Sequence, residues 1–369
     1  MIVTTPLAEK IKSIIRMNGP ISVTDYFALC LADPDYGYYK TRDPFGRAGD
    51  FVTAPEVSQL FGEMLGIFLV HAWQRHGSSE KARLVEIGPG RGTMMADMLR
   101  VIARLAPELY TGMTIHMVET SERLRGLQRT ALSAHDGRVS WHDGFDEVPD
   151  GFTLIATNEL FDAIPIRQFV KTATGFRERL VGLGADDELA FVTGAAGIDP
   201  ALLPHGNPPP DGTIFEVAPA RAAVMQAMSE RLRGFGGCAV IIDYGHTVTN
   251  YGDTLQAVLK HEYDPPLAHP GEADLTSHVD FETLTAVASA CGLHVNGCVP
   301  QGDFLLGLGI LERAGQLGRG KDAITQEEIT AAVERLAGSG EGRMGELFKV
   351  LVVSSPEVEL SPFRRPAGV

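Results

Sequence analysis

Three glycines stand at alternate positions in Val85-Glu86-Ile87-Gly88-Pro89-Gly90-Arg91-Gly92-Thr93. They follow an apolar run and open a helical pattern, the place where a backbone must turn sharply and let a ligand approach without side-chain obstruction. Dinucleotide turns space their glycines G-x-G-x-x-G; here Thr93 takes the third position and the glycines run G-x-G-x-G, so the spacing favours S-adenosylmethionine over NAD. Glu86 ends the first strand and is expected to point into the same crevice, where a carboxylate suits a sulfonium ligand carrying an α-amino group. Glu119 ends the next strand, in the place expected of a carboxylate that accepts both ribose hydroxyls. Asp143 follows a third strand, where it reads equally as a partner for an adenine amine or as a turn-forming Asp-Gly.

Acceptor chemistry is expected along Thr157-Asn158-Glu159-Leu160-Phe161-Asp162-Ala163-Ile164-Pro165. It leaves the carboxyl end of a further strand, the edge at which open α/β sheets bind ligands. Asn158, Glu159 and Asp162 set two carboxylates three residues apart beside an amide, a grouping that could grip a guanidinium by charge-assisted, bidentate hydrogen bonds. In-line methyl displacement depends on positioning, and a carboxylate can also take the lost proton. The same residues could instead cap the following turn, and the pocket could take an amine or hydroxyl. Asp243-Tyr244-Gly245-His246 adds polar groups at the same edge; His246 reads as a base or as a hydrogen-bonded loop histidine. The 11 histidines show no HxxxH or HxH spacing, so no metal is expected.

Positioning these groups requires strands that alternate with helices. Residues 83–87, 113–118, 138–141, 152–157, 237–243 and 347–353 read as strands, and Phe215-Glu216-Val217 reads as another before a helix over 219–233. Helices are expected over 58–76, 93–105, 121–134, 280–290 and near 325–337. This alternation predicts a parallel sheet with right-handed crossovers, a Rossmann-like α/β fold with helices on both faces. Two helices over 4–32, the second capped by Ser22, precede a turn-rich stretch. The run 197–212, with five prolines in sixteen residues, reads as a surface loop. The expected division is an N-terminal helical and lid segment (1–80), a core (81–313), a helical appendage (314–342) and a final strand and tail (343–369).

At 369 residues, with 44% hydrophobic and 21% charged residues, the chain has the composition of a folded globular protein. A net charge of −15 without any Lys/Arg block argues against a nucleic-acid partner. Four scattered cysteines without a CxxC pair fit a reducing compartment. No apolar run reaches the roughly 18 residues of a spanning helix, so membrane insertion is not expected. The N-terminal residues show no transit or secretory signature, and the reading is a cytoplasmic protein of bacterial type. Oligomeric state is not legible.

The chain resembles the MidA-like methyltransferases, whose mitochondrial members assist assembly of respiratory complex I. The matching strings are Pro20-Ile21-Ser22, Gly37-Tyr38-Tyr39, Gly49 through Glu63, Val85 through Thr93, Asn158-Glu159-Leu160-Phe161-Asp162, Asp243-Tyr244-Gly245-His246, Ala273-Asp274-Leu275-Thr276 and Met344-Gly345. The resemblance implies a class I fold, S-adenosylmethionine as cofactor and methylation of a protein arginine on a complex I subunit. It also implies that Gly49 to Glu63 closes over the cofactor, with Thr53, Pro55, Glu56 and Gln59 near the crevice. A noncatalytic assembly factor on the same fold remains the alternative from another class.

Overall fold

The computed structural model describes residues 5–41, 53–135 and 137–363. The turn expected at Asp43-Pro44-Phe45-Gly46 and the start of the lid string, Gly49 to Val52, lie outside the described residues. Two compact units are present. One takes in residues 5–41, 161–223 and 248–280; the other takes in 53–160, 224–247 and 281–363. Neither is continuous, because the chain leaves the parallel sheet after residue 160 and again after 247.

The second of these units holds the expected sheet with one strand more, β6: β1 (Arg83–Ile87), β2 (Thr114–Val118), β3 (Val139–His142), β4 (Thr153–Asn158), β5 (Gly237–His246), β6 (His294–Pro300) and β7 (Phe348–Ser355). Their spatial order is β6-β7-β5-β4-β1-β2-β3. Pairing from β3 to β5 is parallel, whereas β7 runs antiparallel to both β5 and β6. The chain builds outward from β1 through β2 to β3 and then returns to the other side of β1 for β4. The carboxyl ends of β1 and β4 therefore form the switch point at which such sheets bind ligands.

The helices of this unit include α1 (Gln59–Arg75), α2 (Thr93–Leu105), α3 (Glu122–Ala131), α4 (Phe281–Ala290), α5 (Gln301–Gly307), α6 (Ile310–Gly318) and α7 (Ala323–Ala337). Leu84, Leu154, Val240 and Val350 pack with Phe61, Leu65, Met95 and Met98 in one core, while Val85, Ile155, Ile241 and Leu351 are equally buried. Both faces of the sheet are thus covered, which is why its strands read as continuous apolar runs. Gly62 and Gly66 let α1 and α2 approach closely: a Cβ on Gly62 would lie 2.6 Å from Asp97 Cβ, and one on Gly66 would lie 2.9 Å from the Met98 carbonyl. Gly309, at φ 89°, precedes the first residue of α6. Arg313 on α6 donates from Nε and Nη2 to both oxygens of the fully buried Glu63 on α1, at 2.9 and 3.1 Å. Arg100 on α2 joins the same carboxylate at 3.1 Å.

The other unit is an antiparallel meander over the N-terminal helices Pro6–Asn18 and Val23–Ala32. Ser22 caps the second helix, as its sequence predicts, accepting from the Asp25 N–H at 3.0 Å. Strands Arg167–Thr172, Gly175–Leu183 and Leu189–Gly197 pair in succession, and Ile214–Val217 joins Arg167–Thr172. This corrects one expectation: Phe215-Glu216-Val217 does not continue the parallel sheet. Glu216 is drawn instead into a buried polar group, accepting from Gln168 Nε2 at 2.7 Å and the Thr254 N–H at 3.0 Å. The 197–212 loop is irregular apart from one 3-10 turn at Pro200–Leu202. Among the described residues no helix is long and apolar enough to cross a membrane.

Candidate active site

Gly88, Gly90 and Gly92 adopt φ values of 68°, 53° and 83°, the left-handed region that glycine enters without strain. The Gly88 N–H donates to the Val118 carbonyl at 3.1 Å and the Gly92 N–H to Pro89 at 2.8 Å. The turn thus lies across the carboxyl ends of β1 and β2, and α2 starts directly from it at Thr93.

Glu86 lies deeper than its sequence position suggested. It is only 2% exposed and accepts the Met95 N–H in the first turn of α2. Burial, with a smaller contribution from the nearby Asp97 charge, holds its carboxyl well above the ordinary carboxylate range. Its Oε2 has no hydrogen-bond partner among the described residues. Glu119 is firmly held: Oε1 accepts the Ser121 N–H at 2.7 Å, and Oε2 faces Gln128 Nε2 at 3.4 Å. Burial raises this carboxyl too, against hydrogen bonds from Ser121 and Gln128 that lower it. Asp143 is exposed and ion-paired to Arg125 Nη2 at 2.6 Å.

At the end of β4, Glu159 sits at φ 50°, a conformation costly for a residue with a Cβ and typical of functional positions. Its N–H donates to the Ile242 carbonyl of β5 at 3.0 Å. Its Oε1 accepts from Asn158 Nδ2 at 3.0 Å and, at 3.4 Å, from the Ala54 N–H. Thr157 Oγ1 and Asn158 Oδ1 are buried without a hydrogen-bond partner among the described residues. The next residue, Leu160, reaches the Gly turn: a Cβ on Gly88 would meet its Cδ1 at 3.1 Å.

Thr53 precedes the short helix Ala54–Val57, with Pro55 in its first turn. Glu56 from that helix accepts the Thr93 hydroxyl at 2.7 Å, so this segment is tied both to the start of α2 and to Glu159. Gln59 turns instead to Glu63, donating at 3.0 Å. Asp243 is fully buried on β5 and accepts the Tyr244 N–H at 2.9 Å; Tyr244 stacks edge-on against Phe348, and His246 is half-buried at the strand's end. Asp162 belongs to the antiparallel unit, where its carbonyl accepts from Arg221 Nη2 at 3.1 Å and from the Ser277 N–H at 3.2 Å. Among the described residues no group of three or more His, Cys, Asp or Glu could hold a metal.

Comparison with known proteins decides what this geometry belongs to. A family model of S-adenosyl-L-methionine-dependent methyltransferases matches residues 64–299. The chain belongs to this family. It is 36% identical over 342 residues to the mouse protein arginine methyltransferase NDUFAF7, mitochondrial, covering 85% of this chain and 78% of the relative. The human protein of that name is 34% identical, over 83% of this chain and 74% of its own length. A Burkholderia thailandensis protein solved bound to S-adenosyl-homocysteine superposes with a TM-score of 0.84 and 28% identity, covering 97% and 94% of the two chains. This methyltransferase therefore uses S-adenosylmethionine on a class I fold, as its glycine spacing predicts.

The same relatives correct the expectation of a cytoplasmic address, because they are mitochondrial proteins. Neither the scattered cysteines nor the absence, among the described residues, of a helix long and apolar enough to cross a membrane carries an address.

Proposed function

We propose that this methyltransferase modifies an arginine of a protein, with donor and acceptor meeting at the carboxyl ends of β1 and β4. The observation that carries the reading is a set of three buried polar atoms without hydrogen-bond partners among the described residues: Glu86 Oε2, Thr157 Oγ1 and Asn158 Oδ1. Native interiors leave few such atoms, and here they fall on adjacent, in-register strands, with Glu86 opposite Ala156. Glu86 and Asn158 share one face of the sheet and can accept from a cationic, donor-rich ligand, whereas Thr157 points to the opposite face.

S-adenosylmethionine supplies a methyl group on a sulfonium, which leaves as a neutral thioether. In the proposal Glu86 meets its α-ammonium group, Glu119 accepts from its ribose hydroxyls, and Gly88, Gly90 and Gly92 give it bare backbone. Glu159 and Asn158 orient the acceptor guanidinium so that one nitrogen faces the methyl carbon in line, and Glu159 takes the proton that this nitrogen loses on forming the new bond. Asp243, Tyr244 and His246 stand on the acceptor side and Asp143 toward the adenine. Thr53, Pro55, Glu56 and Gln59 belong to the covering segment.

The arginine assignment rests on the names of the relatives, and a respiratory complex I subunit as acceptor rests on the family resemblance. The test is incubation with radiolabelled S-adenosylmethionine and membranes of the source organism, followed by mass spectrometry of labelled polypeptides. Methylarginine is expected. Glu159→Gln should reduce transfer by roughly 100-fold or more while leaving S-adenosylhomocysteine affinity within about threefold. Transfer unchanged in that variant, or label on an amine or hydroxyl, would refute the acceptor reading; absence of any labelled protein would favour the assembly-factor alternative.

A further inference from the structure

The side chain that ties the donor site together is one that no motif announces. Gln128, on α3, is fully buried. Its Nε2 donates to the Gly90 carbonyl at 2.8 Å and faces Glu119 Oε2 at 3.4 Å, and its Oε1 accepts the Trp141 indole N–H at 2.9 Å. The amide orientation is chemically fixed, because an indole N–H can only donate and a carbonyl can only accept. One residue therefore links the Gly turn after β1, the carboxylate at the end of β2 and an aromatic residue of β3.

The bond to Gly90 has a geometric consequence. Carbonyl and N–H of one trans peptide point in opposite directions, so drawing the Gly90 carbonyl toward Gln128 turns the Arg91 N–H to the other side of the loop. The stem of Gln128 also accounts for the third glycine, since a Cβ at Gly92 would lie 3.3 Å from Gln128 Cα and Cγ. The G-x-G-x-G spacing is thus matched to this glutamine as well as to positive φ.

We propose that Gln128 is a positioning residue for S-adenosylmethionine: it sets the peptide plane of the Gly turn and the rotamer of Glu119 before the donor arrives. It touches no reacting atom. The inference rests on the reading of the Gly turn and Glu119 as the donor site.

The discriminating variant is Gln128→Glu. Its ionised carboxylate keeps the acceptor for Trp141 but sets oxygen against both the Gly90 carbonyl and Glu119. Once protonated, its O–H again donates to Gly90. Titration of the full chain with S-adenosylhomocysteine should show about tenfold or greater weakening at pH 8 in Gln128→Glu, with recovery toward wild-type affinity as pH falls. Gln128→Leu should weaken binding to a similar extent at every pH, raising KM for S-adenosylmethionine while kcat at saturating donor stays near wild type. A purely packing role would show no such pH rescue. Should either variant fail to fold, Trp141→Phe removes only the indole donor and should weaken binding in the same direction. Wild-type affinity across the pH range in folded Gln128→Glu and Gln128→Leu overturns the proposal. Wild-type affinity in Glu119→Ala instead defeats the underlying site reading.

Discussion

At the scale of single residues, the two carboxylates proposed for the donor site stand where burial disfavours charge. Glu86 shows this most clearly, since burial holds its carboxyl well above the ordinary 4.5. The ligand-free folded protein then keeps a proton that the unfolded chain releases, so this residue favours folding at low pH and its contribution is lost as pH rises from about 4.5 toward the raised folded value. Glu86→Gln should remove that loss. Relative to wild type it should melt higher at pH 8 than at pH 5, and bind S-adenosylmethionine more weakly. Melting curves at the two pH values check this; a variant whose melting temperature tracks wild type at both contradicts a proton-holding Glu86. The positive φ of the three glycines and the place of Glu119 at the end of β2 were legible, because a sharp strand-to-helix turn leaves its mark in spacing. The depth of Glu86 and the hydrogen bonds of Gln128 were not. Both depend on how the start of α2, and α3 with β3, come together in space, and no short sequence window records that.

At the scale of elements, α1 and α2 owe their close crossing to Gly62 and Gly66, which a reading of the 49–63 string as a lid alone would not single out. Gly62→Ala should cost about 1–3 kcal/mol of stability, because its Cβ would press on Asp97 Cβ and on the Met94 carbonyl 3.0 Å away. Denaturant unfolding measures this; a neutral substitution would mean that the two helices separate easily. Beside this contact, Asp97 has its carboxyl pushed up to about 6, chiefly by burial and against its ion pair with Arg100. The strands that pair in parallel were legible as apolar runs flanked by helices, within three residues of their ends, whereas the edge strand β6, half-buried along its length, was not. Those of the antiparallel unit were not. Arg167–Thr172 and Gly175–Leu183 carry arginines, glutamates and a glutamine whose partners lie on neighbouring strands, such as Arg167 with Glu178 at 2.9 Å. Such strands show their pairing only once folded.

At the scale of the whole molecule, a net charge of −15 suits a cationic acceptor such as an arginine-bearing segment. Raising ionic strength from about 0.01 to 0.15 M shortens the screening length from roughly 30 to 8 Å, and kcat/KM for such an acceptor should fall accordingly. Initial rates across a salt series check this, and a flat profile would assign the acidic surface to solubility alone. Composition bounded what the chain could be, a folded globular protein, but it carried no address. A crystal grown with S-adenosylhomocysteine should show its ribose hydroxyls on the Glu119 carboxylate and its ammonium within hydrogen-bonding distance of Glu86 Oε2, above the backbone of Gly88 to Gly92. Density for the ligand away from that turn, or both carboxylates without contact to it, would contradict the account.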